Sequence, residues 1–129
     1  MGIQVHWDND EKTIACYEFS DPWTWEQFHE AVAKIHTMVR SVTNKVDYIA
    51  DMSRSHIAPG NALLHIRHAI QEAPPNSGLL VVVGGSAFAG AILKVVSRFT
   101  HYVQAAATVK EAHSIIEKRQ NHRKSRPTS

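Results

Sequence analysis

Residues 78–83, Gly-Leu-Leu-Val-Val-Val, form the most apolar strand-like run of the chain and show no alternation of apolar and polar side chains. Such a strand is buried on both faces and therefore belongs in the middle of a sheet. Pro74-Pro75 precedes the run, and Gly84-Gly85-Ser86 follows it as a turn into an apolar helical pattern. These features predict the central strand of an α/β sheet that is covered by helices.

Strand and helix periodicities extend this prediction to both ends of the chain. The order of elements is ββαβαβαβα, in which strand–helix–strand units force parallel pairing and the first two strands form an antiparallel hairpin. The fold class is thus α/β, with a mixed sheet of about five strands, an N-terminal antiparallel hairpin and four helices. The predicted strands are residues 3–7, 13–19, 46–52, 78–83 and 102–107.

Each predicted helix has its own start signal or apolar stripe. The first begins at Ser20-Asp21-Pro22 or, alternatively, at a capping box formed by Thr24 and Gln27. The second follows Pro59-Gly60-Asn61, and the last begins at the capping box Thr108-Val109-Lys110-Glu111. The inward-facing side chains predicted for the third helix are Phe88, Ala91, Ile92, Val95, Val96 and Phe99.

The length of 129 residues and the hydrophobic content of 43% predict a single domain. Its bounds are residues 1–119, and residues 120–129 are expected to form a disordered basic tail because Pro127 is their only apolar side chain. Residues 1–116 carry nine Lys/Arg and eleven Asp/Glu, whereas residues 117–129 carry five and one. The folded part is therefore slightly acidic, and we expect no specific nucleic-acid partner.

Cysteine usage and hydropathy narrow the class of protein further. The single cysteine, Cys16, excludes an intramolecular disulfide and suits a reducing, cytoplasmic compartment. Its place in an alternating strand is typical of a small core residue. No apolar run approaches the roughly 18 residues of a membrane span, and no charged-then-apolar leader opens the chain. These patterns predict a cytoplasmic protein with no membrane span.

Two segments carry a family resemblance. Tyr48-Ile49-Ala50-Asp51-Met52-Ser53 resembles the apolar strand ending in Asp-Leu-Ser of STAS domains, the sulphate-transporter and anti-sigma-factor-antagonist domains of bacteria. Thr108-Val109-Lys110-Glu111-Ala112 resembles the threonine-capped last helix of that family, and the order of elements is similar from about residue 3 to 118. The resemblance implies a STAS-like fold and a regulatory module that acts through protein contact.

The chain departs from that family at the start of the second helix. Regulatory members have an Asp-Ser-Ser-Gly stretch there, whose serine accepts a phosphate from a partner kinase, whereas this chain has Pro59-Gly60-Asn61-Ala62. Since no hydroxyl stands at the switch position, the phosphorylation chemistry of the family does not carry over to these residues.

The candidate binding site lies at the carboxyl edge of the predicted sheet. Gly84-Gly85-Ser86 joins the central strand to a helix whose first N–H groups point outward at the edge where parallel sheets bind ligands. The segment Asp51-Met52-Ser53-Arg54-Ser55 opens on the same edge, where Arg54 adds a positive charge. A small anionic ligand or the tip of a partner protein would fit this rim, although a tight turn also needs glycine for geometric reasons alone. The predicted binding residues are Asp51, Ser53, Arg54, Ser55, Gly84, Gly85 and Ser86.

Nine histidines raise the question of a metal or acid–base site. His65, His68 and Glu72 share one side of the second helix, but two helical turns separate His65 from Glu72, so a solvated helix face is the favoured interpretation. Glu26 and His29 are interpreted as a helix-surface pair. No Ser-His-Asp or Cys-His arrangement can be assigned, and neither a metal nor a cofactor is predicted.

Two tryptophans bracket the start of the first helix. Trp25 belongs to an apolar stripe that continues through Phe28 and Val32. Trp23 lies off the stripe and is expected to be a lid over the sheet edge or part of a contact surface, such as a homodimer patch.

Three functional hypotheses follow. The favoured one is a non-enzymatic, STAS-like regulatory or binding module that acts through protein–protein contact or a small anionic ligand. The alternatives are a small enzyme or metal-dependent protein that uses surface histidines, and a carrier of an apolar ligand such as a lipid, bound beneath a mobile helix.

Overall fold

The fold is taken from a computed structural model, which describes residues 2–55, 62–84 and 103–125 together with residues 94 and 97. Five strands and three helices follow one another along these residues. They are β1 (Ile3–Trp7), β2 (Ile14–Ser20), α1 (Trp25–Arg40), β3 (Val46–Arg54), α2 (Ala62–Gln71), β4 (Ser77–Val83), β5 (Val103–Ala106) and α3 (Val109–Ser125). The predicted α/β class is confirmed, whereas the helix predicted between Phe88 and Phe99 lies almost entirely outside the described residues.

The strands form one mixed sheet in the order β1-β2-β3-β4-β5. β1 and β2 are antiparallel, as the predicted hairpin requires, and the remaining neighbours are parallel. Because successive parallel strands lie side by side, right-handed crossovers place α1 and α2 on the same face of the sheet. α3 packs on the opposite face, against β3, β4 and β5.

Alternation along the strands divides the core into two layers. In β4, Leu79 and Val81 face α3 while Val82 faces α1 and α2, and all three are buried. This double burial explains why the sequence of β4 shows no polar alternation. The side chains that face α3 are Ile14, Cys16, Ile49, Leu79, Val81 and Val83.

α1 begins with the capping box and not with Ser20-Asp21-Pro22. Thr24 Oγ1 accepts the backbone N–H of Gln27 at 3.2 Å, and the Gln27 side chain accepts the backbone N–H of Thr24 at 3.0 Å. These reciprocal bonds provide acceptors for two backbone N–H groups that have no acceptor within the helix, and they fix the start of the helix.

α3 continues to Ser125 and so passes the predicted end of the domain at residue 119. Gln120 donates to the Asp47 carboxylate at 3.0 Å, and Arg123 donates to it from both terminal nitrogens, at 2.6 and 3.0 Å. Residues 120–125 of the predicted disordered tail are therefore helical and joined to the sheet. These residues are ordered by polar contacts to Asp47, and a search for apolar periodicity does not detect such contacts. Residues 126–129 lie outside the described residues.

The carboxylate that anchors α3 is itself enclosed by the sheet. Asp47 is fully buried in β3 and accepts the backbone N–H of Leu79 at 2.7 Å. A Cβ at Gly78 would collide with this carboxylate, so glycine is the residue that leaves room for it. Within the described parts of the chain, no helix has the length and apolar character needed to cross a membrane.

Candidate functional site

A cavity of about 270 Å³ lies between the sheet and the helices α1 and α2. The sheet contributes Tyr17, Phe19, Tyr48, Ala50, Met52, Ser77, Gly78, Leu80 and Val82 to its lining. The helices and the segments next to them contribute Trp23, Trp25, Phe28, Val32, His36, Ile66, Ala69, Ile70 and Ala73. Most of these side chains are apolar, so the cavity belongs to the larger hydrophobic layer on this face of the sheet.

The volume of this cavity decides what it can hold. Protein interiors pack as densely as organic crystals and leave few voids larger than a water molecule. An apolar cavity of about 150 Å³ already accommodates a molecule of the size of benzene. The space of about 270 Å³ is open on one side and has the size of a small organic molecule.

One end of the cavity carries neutral polar groups. The Tyr48 and Ser77 hydroxyls are hydrogen-bonded at 2.6 Å, at the beginning of β3 and β4. His36 of α1 is 5% exposed and lines the same space. Burial, together with the nearby Arg40 guanidinium, lowers the pKa of His36, so its ring is neutral at pH 7. Burial also raises the pKa of Tyr48, so both side chains act as uncharged donors or acceptors.

The other end is aromatic. Trp23 packs edge-on against Phe19 and Trp25, with ring centroids 5.3 and 4.9 Å away, and Trp25 packs edge-on against Phe28 at 5.1 Å. Trp23 is 6% exposed, so the expectation that it is part of a contact surface is wrong. Trp23 precedes α1, so the apolar stripe of that helix does not indicate the direction of its side chain, which packs into the core.

The predicted rim at the carboxyl edge is only partly assembled by the described residues. Asp51, Ser53 and Arg54 lie within β3, where Asp51 Oδ1 accepts hydrogen bonds from the Ser53 N–H and hydroxyl at 3.0 and 2.7 Å. The Arg54 guanidinium points to Glu18, 3.7 Å away. A carboxylate and an arginine already paired with a carboxylate add little attraction for an anion.

Ser55 and Gly84 have structural roles at this edge. Ser55 is fully buried; its hydroxyl accepts the Trp23 indole N–H at 2.8 Å and donates to Asp21 at 3.2 Å. Gly84 has φ +138° and lies against the Met52 backbone, where a Cβ would come within 3.3 Å. Gly84 thus lies against the end of β3, while Gly85 and Ser86 lie outside the described residues. Anion binding at this rim stays a prediction.

The structure joins the two predicted histidine groups to each other. His29 Nε2 of α1 lies 2.7 Å from His65 Nδ1 of α2, and its ring is 5.8 Å from that of His68. The His65 ring stacks on Trp25 at 4.5 Å, and His68 pairs with Glu72 at 3.3 Å. His65 therefore forms part of the contact between α1 and α2, whereas the side chains of His68 and Glu72 are each 58% exposed, as the solvated-face interpretation expects.

No protein-family model, no curated protein and no solved structure matches this chain. Function is therefore inferred from the geometry of the molecule and from general chemistry alone.

The cavity was not predicted from the sequence patterns. A void is the difference between the space enclosed by several elements and the summed volumes of their side chains, and no local pattern encodes that difference. The available signal was the presence of small side chains on facing surfaces, namely Ala50 on β3 and Ala69 on α2.

Proposed function

We propose that this domain is a non-enzymatic binding module for a small, neutral, mostly apolar molecule that carries a hydroxyl or carbonyl group. The single observation behind this proposal is the cavity of about 270 Å³ between the sheet and the helices α1 and α2. Its aromatic end would hold the apolar body of the ligand by area burial and ring contacts. His36, Tyr48 and Ser77 would bond its one polar group.

The charge state of the lining argues for a neutral ligand. Burying an isolated charge without a partner is costly, and the polar groups at this end of the cavity are an imidazole and two hydroxyls. Among the described lining residues there is no carboxylate, cysteine or lysine, so the cavity lacks a nucleophile paired with a charged base. This composition supports binding over catalysis.

The proposal develops the apolar-ligand alternative and retains the wider idea of a binding module. The similarity to STAS domains also implies a non-catalytic role, and that similarity stays a prediction. Of the three sequence-based hypotheses, binding of an apolar ligand is the one that a described cavity favours.

The experiment compares 2-naphthol with naphthalene, a pair of bicyclic probes that differ by one hydroxyl group. Binding to the folded state raises the free energy of unfolding by about 1.4 kcal/mol at a ligand concentration of about ten times Kd. For a domain of this length, that corresponds to an increase in Tm of about 5 °C. We expect 2-naphthol to bind about five- to tenfold more tightly than naphthalene, because the cavity supplies one hydrogen bond to the hydroxyl. Calorimetric titration measures both affinities.

Two matched substitutions locate the binding site. Ala69→Met extends a side chain into the cavity, whereas Ala33→Met makes the same change on the exposed side of α1. We expect the first variant to lose 2-naphthol binding and the second to retain it. His36→Phe keeps a ring of similar size without nitrogen and should abolish the preference for 2-naphthol. Unchanged Tm with both probes, or equal binding by both methionine variants, would refute the proposal.

A further inference from the structure

The hairpin of β1 and β2 carries a second group of polar side chains, on the sheet face opposite to the cavity. His6 lies directly across from Cys16 in the antiparallel register, and Glu18 follows Cys16 by two residues, so all three side chains project from one face. Their ligand atoms, one from each residue, lie within 4.8 Å of one another. The sequence predicts no metal site here, and the place of Cys16 in an alternating strand indicates a core residue.

Both nitrogens of the His6 ring face oxygen acceptors. His6 Nδ1 lies 3.1 Å from the Trp7 carbonyl oxygen, and His6 Nε2 lies 2.8 Å from Glu18 Oε1. An imidazole between two acceptors needs either a second proton or a metal ion at one of its nitrogens. A metal ion at Nε2 would leave the Nδ1 proton for the Trp7 carbonyl oxygen.

We infer that His6, Cys16 and Glu18 form a zinc site in which imidazole, thiolate and carboxylate supply three ligands and water completes a tetrahedron. Imidazole nitrogen, thiolate sulfur and carboxylate oxygen are the ligand types that zinc binds in proteins. Zinc–ligand bonds of about 2.0–2.3 Å place neighbouring ligand atoms about 3.3–3.6 Å apart. The three atoms therefore need side-chain shifts of the order of 1 Å, with no change in the hairpin backbone.

The surroundings of the three ligands favour a cation. The bond from His6 Nδ1–H to a backbone carbonyl is the orienting contact that metal-binding histidines commonly make. The Glu18 carboxylate lies beside the thiol, where it attracts a divalent ion, and the ion displaces the thiol proton when it binds.

Access to the site is open from one side. The side chains of His6 and Glu18 are 44% and 34% exposed, whereas Cys16 is buried beneath them. Arg54, at 3.7 Å from Glu18, is 69% exposed and can turn into solvent when a metal ion arrives. The ion would thus enter past the imidazole and the carboxylate and meet the thiol last.

Two other roles for the group are less consistent with this geometry. A cysteine nucleophile would need a base within hydrogen-bond reach, but the recorded bond of the thiol is to the Tyr17 carbonyl oxygen at 3.6 Å. The bonds recorded for the His6 ring are to Trp7 and Glu18. A protonated His6–Glu18 ion pair would account for those two residues but would not involve Cys16. Metal binding that depends on Cys16 therefore distinguishes a zinc site from such an ion pair.

The test uses Co²⁺ and Zn²⁺ with the full-length, reduced protein. We expect one equivalent of Co²⁺ to produce a sulfur-to-cobalt charge-transfer absorption, and one equivalent of Zn²⁺ to abolish it by displacement. Cys16→Ala should eliminate the absorption, and His6→Ala should weaken metal binding by at least about tenfold. Because His6 is largely exposed, its variant keeps the test valid if Cys16→Ala folds poorly.

His29→Gln provides the matched control, since it removes a histidine from the other cluster while leaving the hairpin intact. It should bind both ions like the unmodified chain. Absence of the charge-transfer absorption, or metal affinity unchanged in His6→Ala, would overturn the zinc site. Loss of binding in His29→Gln alone would place the ion between α1 and α2 and overturn it as well. None of these readouts depends on ligand binding in the cavity.

Discussion

Ser53 and Ser55 stand two residues apart at the end of β3, yet the structure gives them different physical roles. Ser53 is exposed and bonds only to its neighbour Asp51 among the recorded contacts. Ser55 is fully buried between the Trp23 indole and Asp21. A buried polar group stabilises a fold when it is bonded and costs free energy when its partner is removed. The burial of each serine therefore determines how much the loss of its hydroxyl lowers the free energy of unfolding.

We predict that Ser55→Ala lowers the free energy of unfolding by about 1–3 kcal/mol, because it removes the acceptor of the Trp23 N–H in a dry environment. Urea unfolding followed by tryptophan fluorescence measures this change. Ser53→Ala is the matched control and should change stability by less than about 0.5 kcal/mol, since Ser53 is exposed and its hydroxyl bonds only to the neighbouring Asp51 among the recorded contacts. Equal stability of the two variants would show that the Trp23–Ser55 bond is unimportant.

At the scale of elements, the contact between α1 and α2 depends on the protonation of histidines. Burial and the adjacent His65 and His68 lower the pKa of His29 from its ordinary value of 6.5, and Glu72 acts in the opposite direction. The unfolded chain therefore takes up a proton at His29 more readily than the folded chain does. The stability contributed by the neutral form is present above about pH 6.5 and is lost as the pH falls through the lower pKa of the folded state.

We predict that His29→Gln makes the free energy of unfolding less sensitive to acid than it is in the unmodified chain. Urea unfolding at a series of pH values between about 5 and 8 tests this directly. Burial also lowers the pKa of His36, and the bond to Glu18 raises that of His6, but both residues are present in each protein and cancel in the comparison.

His113→Gln serves as the control for this experiment. His113 lies on α3, where it bonds to Asp8 at 2.7 Å, and its replacement leaves the contact between α1 and α2 unchanged. This variant should therefore retain the effect of His29 on acid sensitivity. Parallel pH curves for His29→Gln and the unmodified chain would contradict the electrostatic role assigned to His29.

The strands and most of the helices could be predicted from the sequence because each depends on a local pattern of residues. Alternation and the unbroken apolar run located the strands, and the Thr24–Gln27 pair gave the start of α1 as one of two options. The pairing of His6 with Cys16 could also have been found, since the length of the hairpin turn fixes which residues face each other. The contact between His29 and His65 could not, because it depends on how two helices pack.

At the scale of the whole molecule, the sheet separates two sites with different chemistry. The cavity lies on the face covered by α1 and α2, and the cluster of His6, Cys16 and Glu18 lies on the face that carries α3. The sequence left an apolar-ligand carrier and a metal-dependent protein open as alternatives, but it identified the residues of neither site. The cavity depends on distances between residues far apart in sequence, whereas the cluster depends on the register of one hairpin and the predicted rim on a general rule about strand ends.

The attachment of α3 is the feature that joins the end of the chain to its centre. Asp47 is fully buried, and its partners Gln120 and Arg123 lie beyond residue 119. Removing one partner of a buried ion pair leaves an uncompensated charge and commonly costs about 3–5 kcal/mol. The sequence predicted a disordered tail from residue 120 onward, outside the folded domain. The buried carboxylate implies the opposite for the part of that segment that forms the last turns of α3.

We predict that a chain ending at residue 119, and the full-length variant Arg123→Met, each lose about 3 kcal/mol of unfolding free energy, because both leave Asp47 buried without its guanidinium. Lys118→Met removes the same charge from an exposed position of α3 and should change stability by less than about 0.5 kcal/mol. Urea unfolding at fixed ionic strength distinguishes the loss of a specific ion pair from a general effect of net charge. If the chain ending at residue 119 is as stable as the full-length protein, the contact between Asp47 and Arg123 does not hold α3 to the sheet.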